Sequence, residues 1–215
     1  LRRMVEQQED VFYYITIMNE NYEQPGLTPG TEEGILKGMY LLQPGGEAEQ
    51  RVQLIGCGTI LRESIFAAEL LKNDWNVAAD VWSAPSLTLL ARDGQDCERW
   101  NMVNPEAEQR VPYVTQLMQN TLGPIVATTD YMRLFAEQIR GFMPKERTYK
   151  VLGTDGFGRS DSRVKLREFF EVNRYYITVA ALRSLADEGK IAMSVVAQAI
   201  AKYGIDPNKP NPVTQ

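Results

Sequence analysis

Val52-Gln-Leu-Ile-Gly-Cys-Gly-Thr59 decides the fold. Val52 to Ile55 reads as a short buried strand and Gly56-Cys-Gly-Thr59 as the turn that leaves it. Leu61, Ile65, Ala68 and Leu71 then recur at helical spacing, with Arg62, Glu63, Glu69 and Lys72 off that face. Val77-Ala-Ala-Asp-Val-Trp82 is the next strand. The rhythm continues downstream. Leu87 to Ala91 opens a helix, and Pro124-Ile-Val-Ala127 is a third strand. Thr129 or Asp130 is expected to cap a helix through Ile139, and Tyr149-Lys-Val-Leu152 is a fourth strand. Strands alternating with helices of about 10–15 residues imply an α/β fold in three layers, a mainly parallel sheet with helices on both faces.

Tyr175 to Leu182 is rich in strand-forming residues, but its apolar spacing runs on through Leu185 and favours a helix. Ser194 to Tyr203 carries Val196, Ala199, Ile200 and Tyr203 on one face, and Gly204 stops it. The proline-rich tail after Asp206 is expected to be extended. At the other end, Val11 to Ile17 is aromatic and β-branched and reads as a strand. Pro25-Gly26 and Pro29-Gly30 mark a linker after it. Residues 1–30 are therefore expected to hold the last strand of a preceding domain plus a linker, and residues 31–215 the α/β domain. Pro44-Gly-Gly46 is a second loop. A chain that starts at Leu1 is expected to be part of a longer protein.

Composition removes several function classes. The net charge of −5 over 215 residues is spread without a block of one sign, which speaks against a nucleic-acid surface. No apolar run approaches the roughly 18 residues of a membrane span. Cys57 and Cys97 form no C-x-x-C pair, so zinc is not expected; both read as free thiols of a reducing cytoplasm. The chain has no histidine, which excludes a self-contained Ser/His or Cys/His hydrolase.

Three constellations could carry chemistry. Gly56, Gly58 and Thr59 stand where a strand ends and a helix begins, a candidate anion site. Asp80, at the end of the next strand and near the place of a ribose-binding carboxylate, completes the outline of a dinucleotide site, but Leu61 occupies the third glycine position and would obstruct close helix–strand packing. Arg92, Asp93, Asp96 and Arg99 form a charged segment, with Trp100 and Met102 expected to anchor it to the core. In Val151-Leu-Gly-Thr-Asp-Gly-Phe-Gly-Arg-Ser-Asp-Ser-Arg163, the side chains of Asp155, Arg159, Asp161 and Arg163 alternate in sign. Both charged segments read as contacts to other domains or a second subunit; the alternative for the first is a solvated helix end, and for the second a self-satisfied loop with solvated arginines. The tyrosine pairs at 13–14 and 175–176 read as packing residues.

Those two segments resemble the C-terminal region of the decarboxylating, thiamine-diphosphate-dependent component of homodimeric bacterial pyruvate dehydrogenase complexes. Asn19-Glu-Asn-Tyr22, Glu32-Glu-Gly-Ile-Leu-Lys-Gly38, Thr129-Asp-Tyr-Met132, Leu134-Phe-Ala-Glu-Gln138 and Asn208-Lys-Pro-Asn-Pro212 extend the resemblance in order along the chain. It implies a transketolase C-terminal-domain-like fold. It also implies a parent enzyme that decarboxylates pyruvate on thiamine diphosphate with Mg²⁺ and acetylates a lipoyl group of the acyltransferase component. The cofactor of such enzymes lies between their N-terminal and middle domains. This chain is therefore expected to hold no cofactor and no catalytic residue, and to support those domains and the second subunit. The thiamine motif begins Gly-Asp-Gly and ends in Asn about thirty residues on; here Thr154 precedes Asp155, and Asn173 comes too soon. A stand-alone nucleotide-binding α/β module, or the equivalent domain of another transketolase-like enzyme, are the alternatives.

Overall fold

The computed structural model describes residues 1–13, 15, 21–23 and 25–215. Its elements in chain order are α1 (Arg2–Val5), α2 (Glu32–Lys37), β1 (Tyr40–Gln43), β2 (Gln50–Gly56), α3 (Leu61–Trp75), β3 (Val77–Ser83), α4 (Leu87–Val103), α5 (Tyr113–Met118), β4 (Ile125–Thr128), α6 (Leu134–Glu137), β5 (Tyr149–Leu152), α7 (Arg163–Phe169), α8 (Arg174–Asp187) and α9 (Met193–Lys202). Single 3-10 turns lie at Gly58–Ile60, Arg140–Phe142 and Pro212–Thr214.

The five strands form one sheet in the order β1-β3-β2-β4-β5. β3, β2, β4 and β5 run parallel, and β1 pairs antiparallel with β3 at the edge. The sheet's two faces are both covered. Val52, Leu54, Val77, Ala79, Val81 and Val126 pack against Leu71 of α3, Ala181 and Leu185 of α8 and Ala199 of α9. Ile55, Trp82, Ile125, Ala127 and Val151 pack against Leu87 and Leu90 of α4, Val114 and Met118 of α5 and Ala136 of α6. This is the three-layer, mainly parallel architecture expected from the alternating pattern. β1 was not foreseen, because its four residues alternate between half-buried and exposed and carry no buried side chain.

The caps explain where the helices stop and start. Ser86 accepts from Leu89 N at the start of α4, and Asn173 accepts from the amides of Tyr175 and Tyr176 at the start of α8. Asn76 ends α3 in the left-handed region, at φ 52°.

Several expectations need correction. The helix from Thr129 or Asp130 through Ile139 is only Leu134–Glu137, with Arg133 at its start. Thr129 Oγ1 instead accepts from Tyr131 N, closing a turn that keeps the chain from entering a helix early. The tail after Asp206 is not simply extended: it turns at Pro207-Asn208 and ends in the 3-10 turn capped by Asn211. The strand over Val11–Ile17 lies partly outside the described residues. Val11, Phe12, Tyr13 and Ile15 are in no strand, and Phe12 and Ile15 are exposed.

Glu63 is the largest departure from the amphipathic reading of α3. It is 4% exposed. Its two oxygens accept from Arg174 N at 2.9 Å, Nε at 3.0 Å and Nη2 at 3.1 Å, and from Arg167 Nη1 at 3.3 Å. The bonds tie α3 to α7 and to the first turn of α8. Burial by itself would raise the Glu63 carboxyl; the hydrogen bonds and charges of Arg174 and Arg167 outweigh it and hold it below the ordinary range. A depressed carboxyl contributes stability that is present above its unfolded value and lost as pH falls through its folded one. Glu63→Gln is expected to lower unfolding stability by about 3 kcal/mol at pH 7, since it leaves two guanidinium groups without their partner. Urea denaturation of wild type and variant at pH 7 and at about pH 3.5 checks this: the gap should shrink at the lower pH.

Candidate functional site

The turn after β2 is built by a close approach. A Cβ placed on Gly56 would sit 2.6 Å from Leu61 Cα, so the glycine at the strand end lets α3 come in against the sheet. Leu61 thus does not obstruct helix–strand packing, contrary to the expectation; Gly56 supplies the room. Gly58 adopts φ 59°, and the Thr59 hydroxyl donates to Asp130 Oδ2 at 3.3 Å. The turn that reads as an anion site therefore already faces a carboxylate of its own chain, from the segment after β4. Asp80 is not at the end of its strand but in the middle of β3, opposite Gln53. It accepts from Gly45 N at 2.8 Å, Arg51 Nη1 at 2.7 Å and Gln53 Nε2 at 2.8 Å. With those bonds made it is not placed to take a ribose.

The same turn borders a cleft of about 290 Å³ at the carboxyl ends of β2, β4 and β5. Thr59, Asp130, Thr154, Arg159, Arg163 and Arg167 supply its polar lining, with Ile60, Leu166, Phe170 and Val172 as apolar floor. The structure thereby brings together two segments that the sequence kept apart, the β2 turn and the loop after β5. That loop is anchored at its start. Thr154 N donates to Tyr131 O and its hydroxyl to Asp130 O, and Asp155 accepts from Arg133 Nε at 2.6 Å and from Arg133 N. Further on, Arg159 lies over the Phe169 ring at 4.3 Å and Asp161 accepts from Ser162 N at 2.6 Å. Arg163 opens α7. Sequence reasoning missed Arg133, Asp130 and Arg167, each of which meets a partner far along the chain.

The other charged segment is elsewhere. Arg92, Asp93, Asp96 and Arg99 lie within α4, and none lines the cleft. Asp93 Oδ2 accepts from Tyr113 N at 2.6 Å, capping the start of α5. Asp96 pairs with Arg110 at 3.3 Å, while Arg92 and Arg99 are exposed. Trp100 and Met102 do not anchor α4 to the core: Met102 is 73% exposed, and Trp100 stacks under the Arg110 guanidinium at 3.7 Å. The buried stripe is Leu87, Leu90, Ala91, Gly94 and Cys97. Burial pushes the Cys57 thiol up to about 11, aided by the Asp130 charge, which leaves it protonated at neutral pH.

A family profile described as the transketolase-like TK C-terminal domain matches residues 38–173, well over half of the chain. The chain belongs to that family. The transketolase-like domain is 57% identical to the pyruvate dehydrogenase E1 component of Cupriavidus necator, over all of this chain and 24% of that protein. It is 58% identical to the component of the same name from Pseudomonas aeruginosa and 55% to that of Escherichia coli K12, in each case over 99% of this chain and 24% of that protein. The chain thus spans about a quarter of the length of these curated relatives. Transketolase from Pichia stipitis with sedoheptulose-7-phosphate aligns over 74% of this chain and 19% of that one, at 17% identity and a TM-score of 0.49.

Thiamine diphosphate and Mg²⁺, implied by the family resemblance, do not fit the transketolase-like domain. Asp155 is committed to Arg133, Asn173 to the start of α8, and the two face no common space among their bonds. Asp155 instead latches the loop. Asp155→Ala is expected to speed amide hydrogen exchange across Thr154–Arg159 about fivefold, equal to ~1 kcal/mol for a half-exposed pair, with the global melting temperature nearly unchanged. Exchange measured by mass spectrometry checks it; unchanged rates would remove the latch.

Proposed function

We propose that this chain is the C-terminal, structural and dimer-supporting domain of a pyruvate dehydrogenase that transfers acetyl groups. The observation that carries the reading is identity of 57% across the entire chain to a pyruvate dehydrogenase E1 component. On this reading the whole protein decarboxylates pyruvate and reductively acetylates a lipoyl group of the acyltransferase component. Its own N-terminal and middle domains hold thiamine diphosphate and Mg²⁺, which supply the carbanion chemistry. It works as a homodimer in the cytoplasm, where Cys57 and Cys97 stay free. No helix among the described residues is long and apolar enough to cross a membrane.

This domain's share of the work is contact. Tyr131, Met132, Leu134 and Phe157 are large apolar side chains left 43–81% exposed on the segments around the carboxyl ends of β4 and β5. Exposed apolar side chains brought close along neighbouring loops suit a surface that another domain covers. We assign Arg92, Arg99, Arg159 and Asp161, all exposed, to polar contacts at the margins of such surfaces. Asp93, Asp96 and Asp155 support these contacts indirectly, by holding α4 and the loop in place.

Two measurements test the reading. Calorimetry of the chain alone with thiamine diphosphate and Mg²⁺ is expected to show no binding. A Cupriavidus necator pyruvate dehydrogenase E1 component whose matching segment is exchanged for these 215 residues is expected to dimerise and to decarboxylate pyruvate within about tenfold of the unaltered protein, ~1.4 kcal/mol in barrier. A folded graft that stays monomeric would sink the dimer-supporting role. A dimeric, cofactor-loaded graft without turnover would show chemistry that this domain is proposed not to carry.

A further inference from the structure

Residues 207–214 lead from the end of α9 to the loop after β5 and are fastened twice on the way. The first fastening is Lys209, whose side chain is 20% exposed. Its ammonium donates its three hydrogens to Phe169 O at 2.6 Å, Glu168 O at 3.1 Å and Glu171 Oε1 at 3.2 Å. It also stands 5.4 Å from the centres of the Phe169 and Tyr176 rings. These acceptors form the end of α7. There Val172 N reaches back to Arg167 O and Glu171 N to Glu168 O, and Glu171 takes φ 62°. Helices that end this way commonly place glycine at that position, because a side chain strains the left-handed backbone. Glu171 carries one, and Lys209 holds its carboxylate together with two carbonyls of the last turn.

The second fastening is Pro212, which is buried. Gly156 takes φ 108°, and a Cβ on it would overlap Pro212 O and lie 3.3 Å from Val213 Cα. The loop after β5 thus rests flush on the 3-10 turn at Pro212–Thr214. It has little else to rest on. At residues 156–160 no backbone N–H meets a backbone acceptor among the described residues, and the latch of Asp155 on Arg133 lies ahead of them. Arg159 leans on the Phe169 ring, which Lys209 also faces.

We infer that residues 207–214 are a strap that holds the loop after β5 in one conformation, with Lys209 and Pro212 as its positioning residues. Lys209 supports the strained end of α7 and Pro212 the middle of the loop, so both ends of residues 156–171 are held by a single stretch of chain. Phe157, 81% exposed, follows the fastened glycine. A loop held ready loses less conformational freedom when another surface covers it. That consequence for contact rests on the function proposed above; the strap does not.

The test is amide hydrogen exchange of the 215-residue chain, resolved to single amides. Lys209→Met removes the ammonium and keeps the stem. It is expected to speed exchange at least about fivefold at Phe170 and Val172, and also at Thr154, whose amide bonds to Tyr131 O at the start of the loop, with little change in melting temperature. Lys209→Arg should return these rates at least halfway to wild type. In the opposite direction, Gly156→Ala should speed exchange at least about fivefold at Thr214, which is bonded to Asn211 O in the strap. Lys202→Met, which removes the lysine that pairs α9 with Asp74, should change none of these rates. Should Lys209→Met unfold, Gly156→Ala decides the matter. Wild-type rates at Thr154 in Lys209→Met, or at Thr214 in Gly156→Ala, would overturn the proposal. A dimeric graft beside unchanged exchange sinks the strap alone; faster exchange beside a monomeric graft sinks the dimer-supporting role alone.

Discussion

A glutamine in the middle of the central strand organises this domain. Gln53 is fully buried in β2. Its Nε2 donates to Asp80 Oδ2 at 2.8 Å and to Leu122 O at 3.0 Å, and its Oε1 accepts from Trp82 Nε1 at 2.8 Å. One amide thus ties the central strand to β3 on one side and to the approach of β4 on the other. Asp80 passes the tie outward to Arg51 and to Gly45, which brings in the loop after β1. A Cβ on Gly45 would meet the Ala79 backbone at 2.6 Å, so the loop lies flush against β3. Burial would raise the Asp80 carboxyl, but its bonds from Gly45, Gln53 and Arg51 hold it below the ordinary range. Such a network has a register. A slip of β2 by one residue would turn Gln53 to the opposite, aliphatic face and leave several polar groups buried without partners, at a cost far above that of the slip itself.

The network also divides the sheet into a closed end and an open one. At the amino ends of β4 and β5, Arg147 donates to the carbonyls of Gly123, Met118 and Thr121, and Glu188 accepts from Thr148 N. Gly123 takes φ 78° there, where any Cβ would overlap Arg51 O. These contacts tie the loops at that end together, although Arg147 Nη2 is itself buried without a hydrogen-bond partner among the described residues. At the carboxyl ends the chain leaves β2, β4 and β5 by turns that carry threonines, arginines and exposed aromatic residues instead. The difference follows from winding: helices return the chain to the amino ends through compact joints, while the carboxyl ends separate around the switch between β2 and β4.

Most of the layered fold was legible because it rests on local periodicity. The strand–turn–helix–strand run from Val52 to Trp82 announces itself, and so does α8, whose strand-forming tyrosines and Ile177 are overruled by apolar spacing that reaches Leu185. α4 hid its length. Its buried stripe passes through Gly94 and Cys97, of which Gly94 is there because Phe142 lies within 2.2 Å of where a Cβ would be, and the charges around them hid how far the helix that opens at Leu87 runs. The site was legible in part. Arg159, Arg163 and Thr59 could be picked out as residues, but not their meeting, because that depends on β2 and β5 both flanking β4. Glu63 was read as a solvent-side residue since nothing in α3 announces two arginines more than a hundred positions away.

Glu63 shows how burial shapes the open end. Two guanidinium groups share its carboxylate, and each has a further attachment: Arg174 lies over the Phe66 ring at 3.8 Å, and Arg167 Nη2 donates to the Tyr22 hydroxyl at 3.2 Å. A surface arginine would spend much of its time in other rotamers and lose entropy on meeting an anion. Arg167 has given up that freedom already, in the fold itself. Its charge is offset but its position is fixed, so it acts on the cleft as a wall that cannot turn away, while the more exposed Arg159 keeps its charge available. The same bonds connect the cleft to Tyr22, in the segment that precedes the α/β layers. Whatever displaces Tyr22 also loosens one bond of the arginine that bounds the cleft.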